Sequence, residues 1–524
     1  MKRILLLLSV FTSVMIYGQT TVNGYVYNDA NGNGKRERNE QGIANVAISN
    51  GCDVVLTNEE GKYSLAVGDD NIISVIKPSG YKLPLNNYNQ PQSYKIHKPG
   101  GSPKSNYPGV APTGKLPKSL DFALTKYDEP EVFTSFVFGD TQTYNEREIE
   151  YLKKGVIDDV KTIEGISFGI TLGDLVGDSL YLHLSYKDAI KEIGLPWFNV
   201  IGNHDINYDA TVDSLSDETF ESNFGPANYA FNYGKAHFIV LDDILYPDPR
   251  DGKGYWGGLR KDQFAFIAND LKHVPTDRLI IISMHIPLSE VGSPDAFNPE
   301  NRLALYKLLN DYPRVLFLTA HTHFQVNSFI GKNEGLNREI PIHDYNVGTS
   351  CGDWYSGVLN EKGVPVSTMR DGTPKGYALL NISGNEYTID YKVVDKPKDY
   401  QISIYNPKVV PYNGRWGNAG IYANFFMGTD DSTVEFRIDG GDWRKMSKVY
   451  DYDPAYYHYV QDWDYVEDVR WERRPSNPVR STHLWRSAIT YNYPVGTHKI
   501  EVRATDIFGR TFVSNSSYEI KELK

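Results

Sequence analysis

The sequence predicts an α/β domain at the centre of the chain, flanked on each side by an all-β domain. The 524 residues correspond to three or four domains at roughly 100 to 200 residues each. Short β-type runs separated by Asn, Gly and Asp clusters occupy both ends of the chain. Apolar runs at the spacing of alternating strands and helices occupy the middle. We expect domains at residues 19–127, 128–395 and 396–524, preceded by a leader at residues 1–18.

The first residues have the features of a secretory signal peptide. Lys2 and Arg3 precede an apolar run at residues 4–16, and the small residue Gly18 stands before Gln19. This order is typical of a signal that is cleaved during export. We therefore expect cleavage near Gly18 or Gln19 and a periplasmic, cell-surface or secreted protein. The run is too short to span a bilayer, and no later segment is long enough, so no transmembrane segment is expected.

The N-terminal domain is expected to be a small β-sandwich. Its β-type runs cover residues 22–27, 46–49, 62–67 and 72–76, with turn-forming residues between them. The following stretch, residues 98–118, is rich in Pro, Gly and Lys and has little periodicity. We expect this stretch to be a loop or linker.

One loop of this domain has the residue pattern of a calcium-binding loop. Asp29, Asn31, Asn33 and Glu40 fit the pattern D-x-[DN]-x-[DN]-G-x5-E, which places oxygen donors around a tight turn. Residues 25–27 before it have the pattern of a strand, so the flanks do not fit an EF-hand. The loop resembles the opening of Sdr B-type surface domains, which implies structural calcium. A metal-free turn stabilised by Asn and Gly is the alternative.

The central domain combines apolar strand-like runs with an amphipathic helix. The runs cover residues 133–138, 166–172, 197–201, 237–241, 279–283 and 315–319. Between the first two, the apolar residues fall on one helical face: Ile149, Leu152, Val156, Ile157 and Val160. Strand, helix and strand in this order predict a sheet that is covered on both faces.

A β-type pattern returns after about residue 396, with runs at residues 434–438, 497–504 and 511–518. It predicts a second β-sandwich, of immunoglobulin or fibronectin type III kind. Five of the eight Trp residues lie here: Trp416, Trp443, Trp463, Trp471 and Trp485. We expect them to pack in the core or between domains, with a carbohydrate-binding platform as the alternative.

Charge and cysteine content exclude several classes of protein. The formal net charge is -12, and no Lys/Arg tract is long enough to follow a nucleic-acid backbone, so nucleic-acid binding is not expected. Only Cys52 and Cys351 are present, which rules out a disulfide framework and a cysteine zinc site. One disulfide and two free thiols both remain open. The sequence does not indicate an oligomeric state.

Five polar motifs follow the apolar runs of the central domain. They are Gly139-Asp140-Thr141-Gln142, Gly173-Asp174, Gly202-Asn203-His204-Asp205, Met284-His285 and Ala320-His321-Thr322-His323. The carboxyl ends of strands form the ligand crevice of open α/β sheets, so these side chains are expected to converge. Their oxygen and imidazole donors suit divalent Mn, Fe or Zn. The motifs predict a metal site, with Asp174 as the candidate to bridge two ions.

The order of these motifs resembles the calcineurin-like metallophosphoesterase superfamily. The resemblance covers about residues 133–324 and implies a two-sheet α/β sandwich that binds two divalent metal ions. It implies that the first ion is held by Asp140, Gln142, Asp174 and His323, and the second by Asp174, Asn203, His285 and His321. It also implies that His204 lies beside the phosphate and the leaving group, with Asp205 orienting its imidazole.

Three positions depart from patterns within this superfamily. Gln142 stands where the family commonly has His, and an amide oxygen is the weaker ligand, so the first ion is expected to bind less tightly or to differ in identity. Ala320 replaces the usual Gly, a small change if φ is negative. Gly177 occupies the position at which the purple acid phosphatase branch has an iron-binding Tyr, which disfavours that branch.

Several residues near the motifs have two interpretations. Trp354 and Tyr355 either line a substrate pocket or pack against the core. Asp178 is expected to cap a helix or to form hydrogen bonds within its loop rather than to bind metal. The pair Asp242 and Asp243 is also expected to be structural.

The leading hypothesis is an exported two-metal phosphoesterase that hydrolyses a small phosphate mono- or diester. In it, a hydroxide bridging the ions attacks phosphorus, and His204 assists the departing oxygen. The alternative is a surface binding or adhesion protein whose phosphoesterase core has decayed, as the two flanking sandwiches and Gln142 suggest. A nuclease shares the motifs but is disfavoured by the acidic net charge.

Overall fold

The computed structural model describes residues 20–289, 293, 296–414, 419–468, 470 and 472–523. The expected leader, residues 1–18, lies outside the described residues, as do Trp416 and Trp471. Within the described ranges, no helix combines the length and the apolar character that a membrane span requires.

The N-terminal region folds as two four-stranded sheets around one core. Its strands are β1 (Thr20–Asn28), β2 (Ala47–Ser49), β3 (Val54–Leu56), β4 (Lys62–Val67), β5 (Asn71–Ile76), β6 (Tyr81–Lys82), β7 (Tyr94–His97) and β8 (Phe122–Lys126). The sheets have the orders β4-β1-β8-β6 and β3-β2-β5-β7. In β4, Tyr63, Leu65 and Val67 are buried while Lys62 and Ser64 are exposed, because successive side chains of a strand point to opposite faces. The all-β character is confirmed.

Residues 98–118 contain no helix or strand, as expected of a loop, but they are not a free linker. The Nζ atom of Lys98 lies 2.6 Å from Glu218 Oε2. The hydroxyl of Ser105 donates a hydrogen bond of 2.8 Å to Asp209 Oδ1. Both acceptors belong to the central region, so this loop fastens the N-terminal sheets to it.

The central region contains two sheets, with the orders β11-β10-β9-β20-β21 and β12-β13-β16-β17-β19-β18. The strands are β9 (Val132–Phe138), β10 (Ile166–Leu172), β11 (Trp197–Val200), β12 (Tyr229–Tyr233), β13 (Ala236–Val240), β14 (Ile244–Leu245), β15 (Trp256–Gly257), β16 (Leu279–Ser283), β17 (Val315–Thr319), β18 (Val326–Ile330), β19 (Ile342–Asn346), β20 (Gly376–Ser383) and β21 (Glu386–Val393). The helices are α1 (Glu146–Leu152), α2 (Asp158–Val160), α3 (His183–Lys191), α4 (Glu218–Phe224), α5 (Lys261–Leu271) and α6 (Pro299–Leu308). Strands β9, β10 and β11 run parallel, as do β13, β16 and β17.

Consecutive residues of these strands face two different cores. Val137 and Ile281 belong to a core that both sheets share. Their neighbours Phe136 and Ile280 belong to a core that includes the helices. Both faces of each sheet are therefore covered, which confirms the predicted α/β sandwich.

The predicted amphipathic helix is present, with a change of pitch in its middle. Helix α1 continues into a π-helical turn at Lys153–Ile157 and then into α2. All of the expected apolar positions are buried: Ile149, Leu152, Val156, Ile157 and Val160. This face packs in the same core as Phe136.

The C-terminal region is again built from two sheets, with the orders β22-β24-β28-β27 and β23-β30-β29-β25-β26. The strands are β22 (Ile402–Tyr405), β23 (Val409–Pro411), β24 (Gly420–Phe425), β25 (Thr433–Ile438), β26 (Arg444–Lys445), β27 (Ser447–Tyr452), β28 (Arg480–Ala488), β29 (Gly496–Thr505) and β30 (Thr511–Lys521). A helix that we did not expect, α7 (Pro454–Asp464), precedes β28. Trp463 and Trp485 are buried, so the packing role is confirmed for these two. The exact domain limits stay predictions.

The two cysteines are free thiols, Cys52 half-buried and Cys351 buried. Of the two possibilities left open by the sequence, the structure therefore has the unpaired one.

Candidate metal centre

Five strand ends supply the polar motifs. Asp140 follows β9, Asp174 follows β10 and Asn203 follows β11, while His285 follows β16 and His321 follows β17. Because the strands of each group are parallel, these residues lie at the carboxyl edges of the two sheets.

Glycine is required at two of these strand ends because the loops approach each other closely. At Gly173, φ is +85° and a Cβ atom would lie 2.5 Å from His285 Nδ1. At Gly202, a Cβ atom would overlap the backbone nitrogen of Asp174. A larger residue at either position therefore displaces a candidate ligand. Asp174 itself has a φ of 47°, a conformation that is uncommon outside glycine and clusters at functional sites.

Asp174, His285 and His321 form a compact cluster, with candidate ligand atoms within 4.8 Å of one another. His285 Nε2 lies 3.3 Å from Asp174 Oδ2 and 3.2 Å from His321 Nδ1. Asn203 Oδ1 lies 3.2 Å from the same Nε2 atom. These four side chains are close enough to share one cation.

Asp140, Gln142 and His323 form a second group next to Asp174. His323 Nε2 lies 3.5 Å from Asp140 Oδ1, and Gln142 Nε2 donates to Asp174 Oδ2 at 3.3 Å. Asp140 Oδ1 and Gln142 Oε1 are buried and accept no hydrogen bond within the described part of the chain. Burying an unpaired oxygen is costly, so both atoms suit ligation of a cation.

The buried charges of the two groups perturb each other. Burial raises the pKa of Asp140 to about 8, and the carboxylate of Asp174 adds to this effect. Burial also opposes ionisation of Asp174, but the nearby imidazoles of His285 and His204 outweigh it and lower its pKa. For His285, burial favours the neutral form, but Asp174 outweighs it and raises the pKa to about 10. A cation bound here would favour ionised Asp140 and displace the proton of His285.

The remaining two histidines are held in the neutral form that metal ligation needs. Burial lowers the pKa of His321 to about 3, and it lowers the pKa of His323 to about 3 as well. His323 Nδ1 lies 3.0 Å from the Gly352 carbonyl oxygen, which can only accept, so Nδ1 carries the proton and Nε2 is left for a metal. His285 is held in the same way by the Leu172 carbonyl at 2.8 Å.

Asp242 and Asp243 have structural contacts, as expected. Asp243 accepts the backbone N–H groups of His285 at 3.0 Å and of Ile286 at 2.8 Å. Asp242 accepts the N–H of Ile244 at 3.0 Å. Asp243 therefore holds the backbone of a candidate metal ligand.

The expected role of Asp205 is wrong, and Asp178 takes it instead. His204 Nδ1 lies 2.7 Å from Asp178 Oδ1, and the two side chains are 26% and 51% exposed. Asp205 is fully buried and accepts the backbone N–H groups of Leu175, Val176 and Gly202. The turns that follow β10 and β11 occupy its carboxylate, which also lies 3.3 Å from His183 Nε2, so it is not free to orient His204.

The Trp354 side chain lies at the candidate metal centre, and the Tyr355 side chain does not. The Trp354 ring stacks on the His323 imidazole, with centroids 4.0 Å apart. Tyr355 is buried, and its hydroxyl donates to the Thr141 carbonyl at 2.6 Å. The pocket interpretation of Tyr355 is therefore wrong, since this side chain supports the loop of Asp140.

Two further tyrosines near the centre were not anticipated. The Tyr144 ring is centred 6.2 Å from the His204 ring, and the Tyr255 ring is centred 6.0 Å from the His321 ring. Tyr144 fits because residue 177 is glycine, where a Cβ atom would lie 2.5 Å from the Tyr144 ring. A signal for Tyr144 existed in its position two residues after Gln142, whereas Tyr255 stands in no motif.

The expected calcium loop is closed by its own hydrogen bonds. Asp29 accepts the N–H groups of Asn33 and Gly34, and Glu40 accepts those of Ala30 and Glu37. The Asn31 oxygen accepts from Asn33. This arrangement is that of the alternative, a turn stabilised by Asn and Gly, and calcium stays a prediction.

Three family models match the chain. The model of calcineurin-like phosphoesterase matches residues 134–325, that of the N terminal of calcineurin-like phosphoesterase matches residues 30–108, and that of the C terminal of calcineurin-like phosphoesterase matches residues 344–512. With the α/β core and the clustered ligands, these matches define a metal-dependent phosphoric ester hydrolase. The chain belongs to the calcineurin-like phosphoesterase superfamily and has its N- and C-terminal extension domains.

Several solved structures resemble the chain at low sequence identity. No curated protein matches the chain. A dimetal phosphatase from Danio rerio is 14% identical, with 50% of this chain and 96% of that chain covered and a TM-score of 0.33. A purple acid phosphatase from yellow lupin (Lupinus luteus) seeds is 15% identical, with 67% of each chain covered and a TM-score of 0.38. Vps29 of Chaetomium thermophilum is 11% identical, with 74% and 98% covered and a TM-score of 0.22.

Proposed function

We propose that this protein hydrolyses a small phosphate mono- or diester with the help of two divalent cations, Mn, Fe or Zn. The observation that supports this most is the convergence of six candidate ligands around a seventh, Asp174, with unpaired buried oxygens on Asp140 and Gln142. One cation is assigned to Asp140, Gln142, Asp174 and His323, and the other to Asp174, Asn203, His285 and His321.

The donor set fits such cations. Carboxylate, amide and neutral imidazole donors suit borderline divalent metals, and no thiolate takes part. Two cations bound there would activate water and stabilise the negative charge that develops on the phosphate oxygens. Asp140 and Asp174 offset only part of that positive charge. The site would therefore attract an anionic ester although the protein as a whole is acidic.

His204 is positioned to protonate the departing oxygen. Asp178 accepts the Nδ1 proton of His204 at 2.7 Å, which fixes the ring and leaves Nε2 for the substrate. The backbone N–H of His204 donates to Asp174 Oδ1 at 2.9 Å. The residue is therefore anchored to the proposed bridging carboxylate at its backbone and to Asp178 at its ring.

The proposal is tested with aryl phosphate mono- and diesters and the protein loaded with Mn. We expect turnover that Asp174→Ala abolishes, while Asp188→Ala, an exposed carboxylate on α3, leaves it unchanged. Equal rates for wild type and Asp174→Ala with every metal would refute the proposal. Metal analysis distinguishes the enzyme from the alternative, a surface binding or adhesion protein with a decayed core. The enzyme should contain close to two metal ions per chain, and the alternative should contain none.

We also propose that the protein is exported, because Lys2, Arg3 and the apolar run before Gly18 have the order of a cleavable signal. N-terminal sequencing of the protein made by its own host tests this. A first residue near Gln19 in an extracytoplasmic fraction is expected, and an intact Met1 in the cytoplasm would contradict it. A structural calcium ion at Asp29, Asn31, Asn33 and Glu40 is likewise proposed, with calcium-dependent thermal stability as its test.

A further inference from the structure

We propose that the C-terminal region positions the imidazole of His323, acting through Asp353 and Trp354, so that the metal centre is incomplete without that region. This inference rests on the proposed role of His323 as a metal ligand. It assigns Asp353 and Trp354 as positioning residues, since neither supplies a donor to the cation. It also gives the C-terminal sandwich a part in the chemistry rather than in adhesion.

One loop, residues 351–357, fixes His323 in two ways. The carbonyl of Gly352 accepts the Nδ1 proton of His323 at 3.0 Å. The Trp354 ring lies flat on the imidazole, with 4.0 Å between centroids and 21° between planes. The hydrogen bond sets which nitrogen faces the metal, and the stacked ring prevents the imidazole from tilting.

This loop does not hold its conformation by local preference. Trp354 has a φ of 49° and Tyr355 a φ of 53°, a left-handed conformation that costs energy for residues other than glycine. Such a backbone persists only where surrounding contacts impose it. The Tyr355 hydroxyl is bound to Thr141, in the loop of Asp140, whereas Trp354 is held by residues of the C-terminal region.

The C-terminal region supplies the contacts that hold Trp354. Arg473 Nη1 donates to the Trp354 carbonyl at 3.3 Å, and the Arg473 carbonyl accepts the N–H of Gly357 at 2.9 Å. The N–H of Ser476 donates to Asp353 Oδ2 at 2.6 Å. These contacts clamp the loop on both sides of Trp354.

Two guanidinium groups also lie close to the Trp354 ring. Arg473 is centred 5.7 Å from it and Arg370 is centred 5.5 Å from it, within the range of a cation–π contact. Arg370 also donates to the Thr322 carbonyl at 3.0 Å, next to His323. The stack of cation, indole and imidazole thus extends from the C-terminal region to the candidate ligand.

Helix α7 adds a contact on the far side of the loop. The Tyr459 hydroxyl accepts the N–H of Val358 at 2.9 Å. At Gly357, where φ is +91°, a Cβ atom would overlap that hydroxyl. Glycine at this position therefore lets α7 dock against the loop that carries Trp354.

The test is metal binding by the full-length protein, measured by titrating the metal-free form with Mn against a competing chelator. For Trp354→Leu we expect one of two binding steps to weaken about 10- to 100-fold, the usual effect of losing a contact that orients a ligand. The other step stays unchanged, and Trp354→Phe restores most of the loss because it keeps a stacked ring. Trp443→Leu is the matched control, because this half-buried Trp packs against Arg437 and Arg503 in the C-terminal sandwich.

A double-mutant cycle tests the connection to the C-terminal region. Arg473→Met alone is expected to weaken the same step several-fold, and to add nothing in the Trp354→Leu background, because both changes act through one contact. Wild-type binding of two ions with no selective loss in Trp354→Leu would overturn the inference and leave the proposed function intact. Equal losses in Trp354→Leu and Trp443→Leu would also overturn it. No Mn binding by the wild type would instead refute the proposed function.

Discussion

The contact between His204 and Asp178 leads to a prediction that distinguishes the role of Asp178 from that of Asp205. Asp178→Ala removes a charge-assisted hydrogen bond, which is worth about 1.5 to 3 kcal/mol when it is shielded from water. Asp178 is 51% exposed, so we discount this to about 1 to 2 kcal/mol. At 1.36 kcal/mol per factor of ten, kcat should fall about 5- to 30-fold. The melting temperature should fall only slightly, because the side chain is at the surface and the main cost to the fold is the strain of Ala at a φ of 62°.

The identity of the leaving group sharpens this prediction. An alkyl oxygen needs a proton to depart, whereas a nitrophenolate does not, so Asp178→Ala should slow alkyl phosphates more than p-nitrophenyl phosphate. Steady-state kinetics on both substrates measures the difference. An equal effect on both, or no loss of kcat on the alkyl ester, would refute the assignment of His204 as the acid that Asp178 orients.

Asp205→Asn is the matching variant, and we expect it to lower the stability of the fold rather than kcat alone. Asp205 accepts three backbone N–H groups, and an amide has one oxygen while its NH2 group faces donors. Each buried N–H left without an acceptor costs about 1 to 3 kcal/mol. The variant should therefore lose stability in denaturant unfolding. A selective loss of kcat at unchanged stability would restore Asp205 as the residue that orients His204.

Three other predictions follow from the geometry. Gly173→Ala should lower both the metal content and the melting temperature, because its Cβ would lie 2.5 Å from His285 Nδ1 at a φ of +85°; full metal occupancy by elemental analysis would contradict this. Removal of metal with a chelator should lower the free energy of unfolding by about 2.7 kcal/mol, relative to protein in free Mn at 100 times its Kd. Calorimetry should show that added Mn restores the melting temperature. Burial lowers the pKa of His343 to about 3, against about 6.5 in the unfolded chain, so the unfolded state binds a proton that the native state does not. The free energy of unfolding should therefore fall as the pH drops from about 6.5 towards 3, with a slope of up to about 1.4 kcal/mol per pH unit. In urea unfolding, His343→Phe should flatten that slope. An unchanged slope would contradict the assignment to His343.

The strands and the candidate metal ligands could be predicted from the sequence because both leave local patterns. Apolar runs such as residues 279–283 and 315–319 coincide with β16 and β17, since a strand buried on both faces reads as a continuous apolar segment. The candidate ligands could be named from the sequence because each stands in a motif that follows such a run. Helix α7 was missed although Asp453 and Pro454 form a regular helix start, because the strands around it dominated the pattern.

Contacts that depend on how loops fold back were beyond the sequence. Asp205 stands next to His204 in the same motif, whereas Asp178 lies 26 residues before His204. Only the folded turns after β10 and β11 show that backbone N–H groups occupy Asp205 and leave Asp178 to contact the imidazole. The stacking of Trp354 on His323 depends on a left-handed backbone that Arg473 and Ser476, more than a hundred residues later, hold in place. No spacing rule connects such positions.

The central claim is that seven side chains hold two cations that share Asp174. Anomalous diffraction from crystals of the Mn-loaded protein tests it most directly. We predict two peaks, one bounded by Asp140, Gln142, Asp174 and His323, and one bounded by Asp174, Asn203, His285 and His321. A single peak that Asp174 does not touch, or no peak among these residues in crystals with saturating Mn, would contradict the claim.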